Sequence, residues 1–196
     1  MTAMRFAPLP QTAAWRHVDA HDGFESVFLR DVASGHVIDG HTAAVEDGEV
    51  WAVHYTVEVD ERWLTQHCRV WSWSAHGERE TQLSRDAAGR WRIDGVLAPE
   101  LDGCFDVDLE ASACTNMLPV RRCWPALHRT MDVPAAYVRT PDLAIERLEQ
   151  SYFRLSCDND DLLFEYRSPR FGFEDELRFG PDGLVLDYPG IATRVV

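Results

Sequence analysis

Between Trp51 and Val59 the chain alternates without a break, with Trp51, Val53, Tyr55, Val57 and Val59 on one side and Ala52, His54, Thr56 and Glu58 on the other. Successive strand side chains point to opposite faces, so this stretch predicts a strand with one buried face. Phe171, Phe173, Leu177 and Phe179 repeat the pattern against Gly172, Glu174, Glu176 and Arg178, with Asp175 the one polar intrusion. Further strands are predicted over 23–31, 65–74, 78–84, 91–95, 104–110, 135–139, 145–155, 162–167 and 184–188. Turn-forming residues separate them at Asp22-Gly23, Glu46-Asp47-Gly48, Ala75-His76-Gly77, 86–89, 159–161 and Pro181-Asp182-Gly183.

No window shows the strand–helix–strand rhythm of a parallel sheet, and the short connections predict a meandering antiparallel one. So long a sheet should curl, because twisted sheets of many strands do not stay flat and open. The helix candidate follows Thr115-Asn116, where a capping residue precedes Met117, Leu118, Val120 and Arg121; it is short and contains Pro119. The stretch 143–152 also admits a helix, but the alternation of Ile145, Phe153 and Leu155 favours a strand.

A length of 196 residues suits one hydrophobic core, so residues 1–196 are read as a single domain. Seven Trp, nine Phe and five Tyr supply bulky groups for packing or stacking. The net charge of −14 repels phosphate backbones and anionic bilayers, which argues against a nucleic-acid partner. All 19 basic residues are Arg, which fits genomic base composition better than any site requirement. The five cysteines form no CxxC pair and fit free thiols in a reducing compartment. The first residues, MTAMRFAPLPQTAAW, lack the apolar run of a signal peptide, and no stretch reaches the ~20 apolar residues of a membrane span. A cytoplasmic protein with no integral membrane segment is expected.

The densest chemistry lies between Asp102 and Trp124. Asp106 and Asp108 stand two apart on a predicted strand, so their carboxylates share a face. They suit sugar hydroxyls, an acid and base pair at the ~5 to 9.5 Å used in glycoside hydrolysis, or ion pairs with Arg121 and Arg122. Those arginines are adjacent on a short helix and point about 100° apart, so one of them faces inward, where its fork fits a carboxylate or phosphate. Thr115 and Asn116 are expected to cap that helix. Trp71 and Trp73 share a face with His67 and Arg69, forming either a ligand wall or core packing. Tyr152, beside Gln150 and Arg154, and Tyr188, beside Asp187, are candidates of the same kind.

The eight histidines are scattered, and pairs such as His17/His21 and His36/His41 lack the convergence of an HExxH helix, so no metal site is expected. With no GxSxG, P-loop or GxGxxG sequence, no cofactor and no catalytic residue is assigned.

The ordered segments Asp106-Val107-Asp108-Leu109, Thr115-Asn116 and Leu118-Pro119-Val120-Arg121-Arg122 resemble the glycolipid-binding family of bacterial proteins. The likeness continues through Tyr137-Val138, Pro141-Asp142-Leu143, Gln150, Tyr152, Arg154, Gly183-Leu184-Val185 and Asp187-Tyr188-Pro189-Gly190. It covers the second half strongly and the first half by strand rhythm and Trp71-Ser72-Trp73. That family is similar in fold to periplasmic lipoprotein carriers. The resemblance therefore implies a mainly β protein, its long antiparallel sheet curled into a half-barrel or open barrel around a short helical insert.

The expected function is binding or carrying an amphiphilic ligand, a lipid or glycolipid, on the concave side, through Asp106, Asp108, Asn116, Arg121, Arg122, Trp71, Trp73, Tyr152 and Tyr188. Two alternatives stand beside it. One is an enzyme acting on a carbohydrate or lipid-derived metabolite through Asp106 and Asp108, and the other a scaffold whose insert fills the interior.

Overall fold

The structure is a computed structural model and describes residues 6–19, 21–124, 127–158 and 161–196, with side chains for all of these except 156–158. Residues 1–5, read above for a leader, and Asn159 and Asp160 of the predicted 159–161 turn lie outside the described residues.

Strands β1 (Thr12–His17), β2 (Asp22–Val32), β3 (Gly35–Glu46), β4 (Glu49–Asp60), β5 (Thr65–Ser74), β6 (Gly77–Arg85), β7 (Trp91–Ile93) and β8 (Val96–Leu97) form one antiparallel meander. The chain continues through β9 (Asp106–Leu109), helix α1 (Met117–Cys123), β10 (Thr130–Asp132), β11 (Ala135–Val138) and β12 (Ile145–Leu148). A second meander follows: β13 (Ser151–Asp158), β14 (Asp161–Ser168), β15 (Phe173–Phe179), β16 (Val185–Tyr188) and β17 (Ala192–Arg194). Pairing of β17 with β1, Trp15 opposite Arg194 and His17 opposite Ala192, joins the meanders into one fourteen-stranded antiparallel sheet. The sheet does not close: β8 is one edge, and β10, paired to β13, is the other. The expected open barrel around a short helical insert is the observed fold.

The insert occupies the concave side. Inward residues of the sheet, among them Trp15, Ile38, Tyr55, Val70, Leu83 and Trp91, share one core with Leu101, Val107, Met117, Leu118 and Ala136 of the insert. A second cluster packs Val120 of α1 against Tyr152, Phe164, Leu177, Phe179 and Val185. Strands β12, β11 and β9 make a small sheet whose β9–β11 pair is parallel, Ala135 opposite Asp106 and Val138 opposite Leu109. This exception to antiparallel pairing exists because the chain crosses over through α1 between the two strands, as parallel pairs require.

Several elements differ from their sequence prediction. The single strand expected over 145–155 breaks at Glu149 and Gln150 into β12 and β13, which belong to different sheets. Asp22-Gly23 lies within β2 rather than at a turn, and Phe171 sits in the 3-10 turn Pro169–Phe171 ahead of β15. Strand β3 escaped prediction because, beyond Ile38, its inward face is made of the small residues Gly40, Thr42 and Ala44. Gly40 is small for a steric reason, since a Cβ there would lie 2.1 Å from the ring of Tyr55. Neither Thr115 nor Asn116 caps α1: Asn116 makes no side-chain capping bond and instead accepts one from Tyr152 Oη at 2.7 Å. The Thr115 hydroxyl lies against Leu109 N–H at 3.2 Å. Among the described residues no helix is long and apolar enough to cross a membrane.

Docking of the insert centres on Glu25, an inward residue of β2 with no exposed surface. Its Oε1 accepts from Tyr55 Oη at 2.6 Å and Ser112 Oγ at 2.5 Å. Its Oε2 accepts from the backbone N–H groups of Ala113 at 2.9 Å and Cys114 at 3.4 Å, where the 3-10 turn Cys114–Asn116 begins. Burial pushes the carboxyl up to about 7, against the pull of these four donors. A folded pKa above the ordinary 4.5 stabilises the fold fully below pH 4.5, and that contribution is lost as pH rises through about 7. Glu25→Ala leaves the four donors without their acceptor and is expected to cost roughly 2–4 kcal/mol in urea unfolding at pH 7. The same melts repeated from pH 4.5 to 8 should show a shallower loss of stability in the variant, because Glu25's share of the titration is gone.

Candidate functional site

Where the insert and the β14–β16 side of the sheet stand apart, a cavity of about 290 Å³ remains. Its floor is Asp108 and Leu109 of β9, Glu110, Ser112 and Asn116. Tyr166 and Ser168 of β14, Phe173 of β15 and Tyr188 of β16 form one wall, with Tyr137 and Phe171. Trp51 at the start of β4, Glu46 at the end of β3 and His21 complete it at the β3–β4 rim. Alternation explains these placements: Tyr166 faces inward with Phe164 and Leu162, and Trp51 with Val53 and Tyr55.

The wall is largely aromatic. Tyr166 lies 5.9 Å from both Phe173 and Tyr188, and Tyr137 lies 5.5 Å from Phe171. The Tyr166 hydroxyl donates to Gln150 Oε1 at 2.8 Å. Burial raises the pKa of Tyr137, Tyr166 and Tyr188, so all three are neutral donors at physiological pH. Burial also lowers His21, while Glu46 pulls it back up.

Asp108 is the buried acid of the floor. Burial lifts its carboxyl to about 7; the Thr115 hydroxyl, 3.5 Å from Oδ1, holds it down, and the charges of Asp106 and Glu110 add to the rise. No Arg is among the described lining residues, and these offer acceptors, neutral hydroxyls and aromatic faces. Such a lining suits a polyhydroxylated, uncharged group and disfavours phosphate or carboxylate.

The structure separates the residues singled out from the sequence. Asp108, Asn116 and Tyr188 line the cavity, and Tyr152 stands behind Asn116, to which it donates. Asp106 does not reach it, because Arg122 holds both its oxygens, Nε to Oδ1 at 3.0 Å and Nη2 to Oδ2 at 2.6 Å. With both oxygens engaged, Asp106 is not available as the acid–base partner of Asp108.

Arg121 points elsewhere. It donates to the carbonyl of Asp182, lies over the rings of Trp63 at 4.4 Å and Phe6 at 4.8 Å, and lines an open groove at the β2–β3 rim. Trp71 and Trp73 lie on the outer face of β5, opposite buried Cys68, Val70 and Ser72. The sequence reading missed Trp51, Tyr137, Tyr166, Phe171 and Phe173, whose alternation marked them as inward or strand-borne but not as neighbours. It also missed two convergences of histidine. The rings of His17 and His21 meet edge to face at 4.4 Å, and His41 and His54 stack at 4.3 Å.

Because Arg122 is the partner of a buried carboxylate, Arg122→Met should destabilise the fold by roughly 3–5 kcal/mol in denaturant unfolding. The double variant Asp106→Leu/Arg122→Met should recover most of that loss, since it removes the uncompensated charge as well. A ligand-contacting role for the pair would instead leave stability nearly unchanged in the single variant.

Comparison with curated proteins finds no match to this chain. Among solved structures, a beta-barrel-like protein of the domain of unknown function DUF1849 from Brucella abortus matches with a TM-score of 0.53 at 11% identity, covering 96% of this chain and 95% of that one. At that identity the likeness is one of fold alone. A DUF1089 family protein from Pseudomonas aeruginosa matches more strongly, with a TM-score of 0.76 and 28% identity over 88% of this chain and 92% of that chain. The profile of the family described as "Putative glycolipid-binding" matches residues 12–194, and the chain belongs to that family.

Proposed function

We propose that this chain is a binding or carrier protein whose cavity takes the uncharged sugar head of an amphiphilic ligand, a glycolipid. One observation carries the reading: the cavity combines aromatic walls with Asp108 and Asn116 at its floor and has no Arg among its described lining residues. Sugars present C–H faces to aromatic rings and hydroxyls to carboxylates and amides, and this lining supplies both kinds of partner. Phe171, half exposed at 52%, and Phe173 give the first methylenes of an attached chain an apolar path, each buried methylene contributing ~0.8 kcal/mol. At about 290 Å³ the space is at the small end for a ligand cleft, which suits a head group and the start of a tail. Family membership and a barrel-like fold support a ligand-binding role in general.

Titration calorimetry with octyl glucoside, octyl phosphate and octanol, each below its micelle-forming concentration, tests the proposal. The glucoside should bind, and Asp108→Asn and Tyr188→Ala should each weaken it by about tenfold or more, ~1.4 kcal/mol. Circular dichroism should show the variants folded. Octyl phosphate binding as tightly as the glucoside, or both variants binding like the original chain, would overturn the assignment.

A further inference from the structure

The outer face of the sheet holds a second convergence of chemistry, remote in character from the cavity. Strands β3 and β4 pair with His41 directly opposite His54, and Asp39 lies two residues from His41 on the same outward face. The two imidazoles stack 4.3 Å apart with an interplanar angle of 2°. Both Nε2 atoms lie beside one carboxylate oxygen: His54 is hydrogen-bonded to Asp39 Oδ1 at 3.1 Å, and His41 Nε2 lies 3.5 Å from the same atom. The three ligand atoms all lie within 4.8 Å of one another.

We propose that Asp39, His41 and His54 bind one divalent transition-metal ion of the zinc, copper or nickel class. A tetrahedral ion with bonds of ~2.0–2.2 Å holds its donors about 3.4 Å apart, and the two histidine-to-aspartate separations bracket that spacing. Two imidazoles and one carboxylate match borderline ions; magnesium and calcium prefer oxygen-only sets. The side chain of His41 is 53% exposed, which leaves a solvent side for water as the remaining ligand.

The surroundings hold His54 and Asp39 in place, and the exposed His41 ring turns out of the parallel stack to aim its in-plane lone pair at the shared ion. Trp71 stacks on His54 at 4.7 Å and 8°, and Arg69 in turn lies 4.5 Å over Trp71, anchored by Glu80 at 2.5 Å. Arg30 reaches the other oxygen of Asp39 at 3.6 Å and orients the carboxylate. The net charge of −14 favours cation approach.

The test uses the full, tag-free chain, stripped with chelator and titrated with zinc chloride alone. Calorimetry should show one saturable equivalent, lowered at least tenfold in affinity by His41→Gln or His54→Gln and weakened by Asp39→Asn. The competing histidine pair is controlled by His17→Gln/His21→Gln, which should bind zinc like the original chain. Imidazole resonances of His41 and His54 should shift together with zinc in the unmutated protein, a readout independent of whether any variant folds. Excess magnesium should not compete. No saturable site, binding retained in the His41→Gln/His54→Gln double variant, or zinc shifts confined to His17 and His21 would each overturn the proposal.

Discussion

An open sheet of fourteen strands has a concave face that must be covered, and the chain covers it with a segment whose own backbone groups then need partners away from water. Glu25 meets that need at the centre, accepting from Ser112, Ala113 and Cys114 of the insert and from Tyr55 of the sheet. Other inward polar groups of the sheet answer further insert carbonyls. Thr42 Oγ1 donates to Ala111 at 2.7 Å, Ser72 Oγ to Pro141 at 2.7 Å, and Trp91 Nε1 to Cys104 at 3.0 Å. Glu25, Thr42, Ser72 and Trp91 therefore mark where the insert's backbone touches down on the sheet. Each leaves a donor or acceptor unmatched if removed, whereas the apolar contacts around them tolerate small changes of shape.

The same docking explains why a cavity exists. These polar anchors lie on β2 to β5 and β7, so the insert is pinned to the first meander, and the aromatic wall of β14 to β16 faces a gap that its own packing does not fill. Strand β9 runs between the two environments. A step of two residues advances about 6.6 Å along a strand, enough to move from the fork of Arg122 at Asp106 to the cavity floor at Asp108. One carboxylate is thereby neutralised by a permanent partner. The other has its pKa lifted by burial to about 7.

The β architecture was legible where one face was continuously apolar, as in β4. It was obscure where inward residues answer polar demands, as in β3, whose Gly40 makes room for Tyr55. In β2 the apparent apolar face is inverted: Phe24 and Phe28 lie outside, while Glu25, Val27 and Leu29 face in. Asp108, Asn116 and Tyr188 were recognisable by residue type, but their grouping with Trp51, Tyr137 and Phe171 depends on the curl of the sheet. Sequence spacing could not separate Asp106 from Asp108 either, because that distinction depends on which of two adjacent arginines α1 turns toward β9.

Register ties the two faces of the sheet together. The β3–β4 hairpin turns through Asp47 and Gly48, both with positive φ, 50° and 80°, the backbone that a tight two-residue connection demands. That turn sets Gly40 against Tyr55 and Ala44 against Trp51 on the inside, and with the same register His41 against His54 on the outside. A slip of one residue would exchange the faces, driving Tyr55 into solvent and the histidines into the core. Its cost falls on the inner face, where Tyr55 holds Glu25 and Trp51 lines the cavity. The outer alignment of Asp39, His41 and His54 is thus fixed by packing constraints on the opposite side of the same two strands.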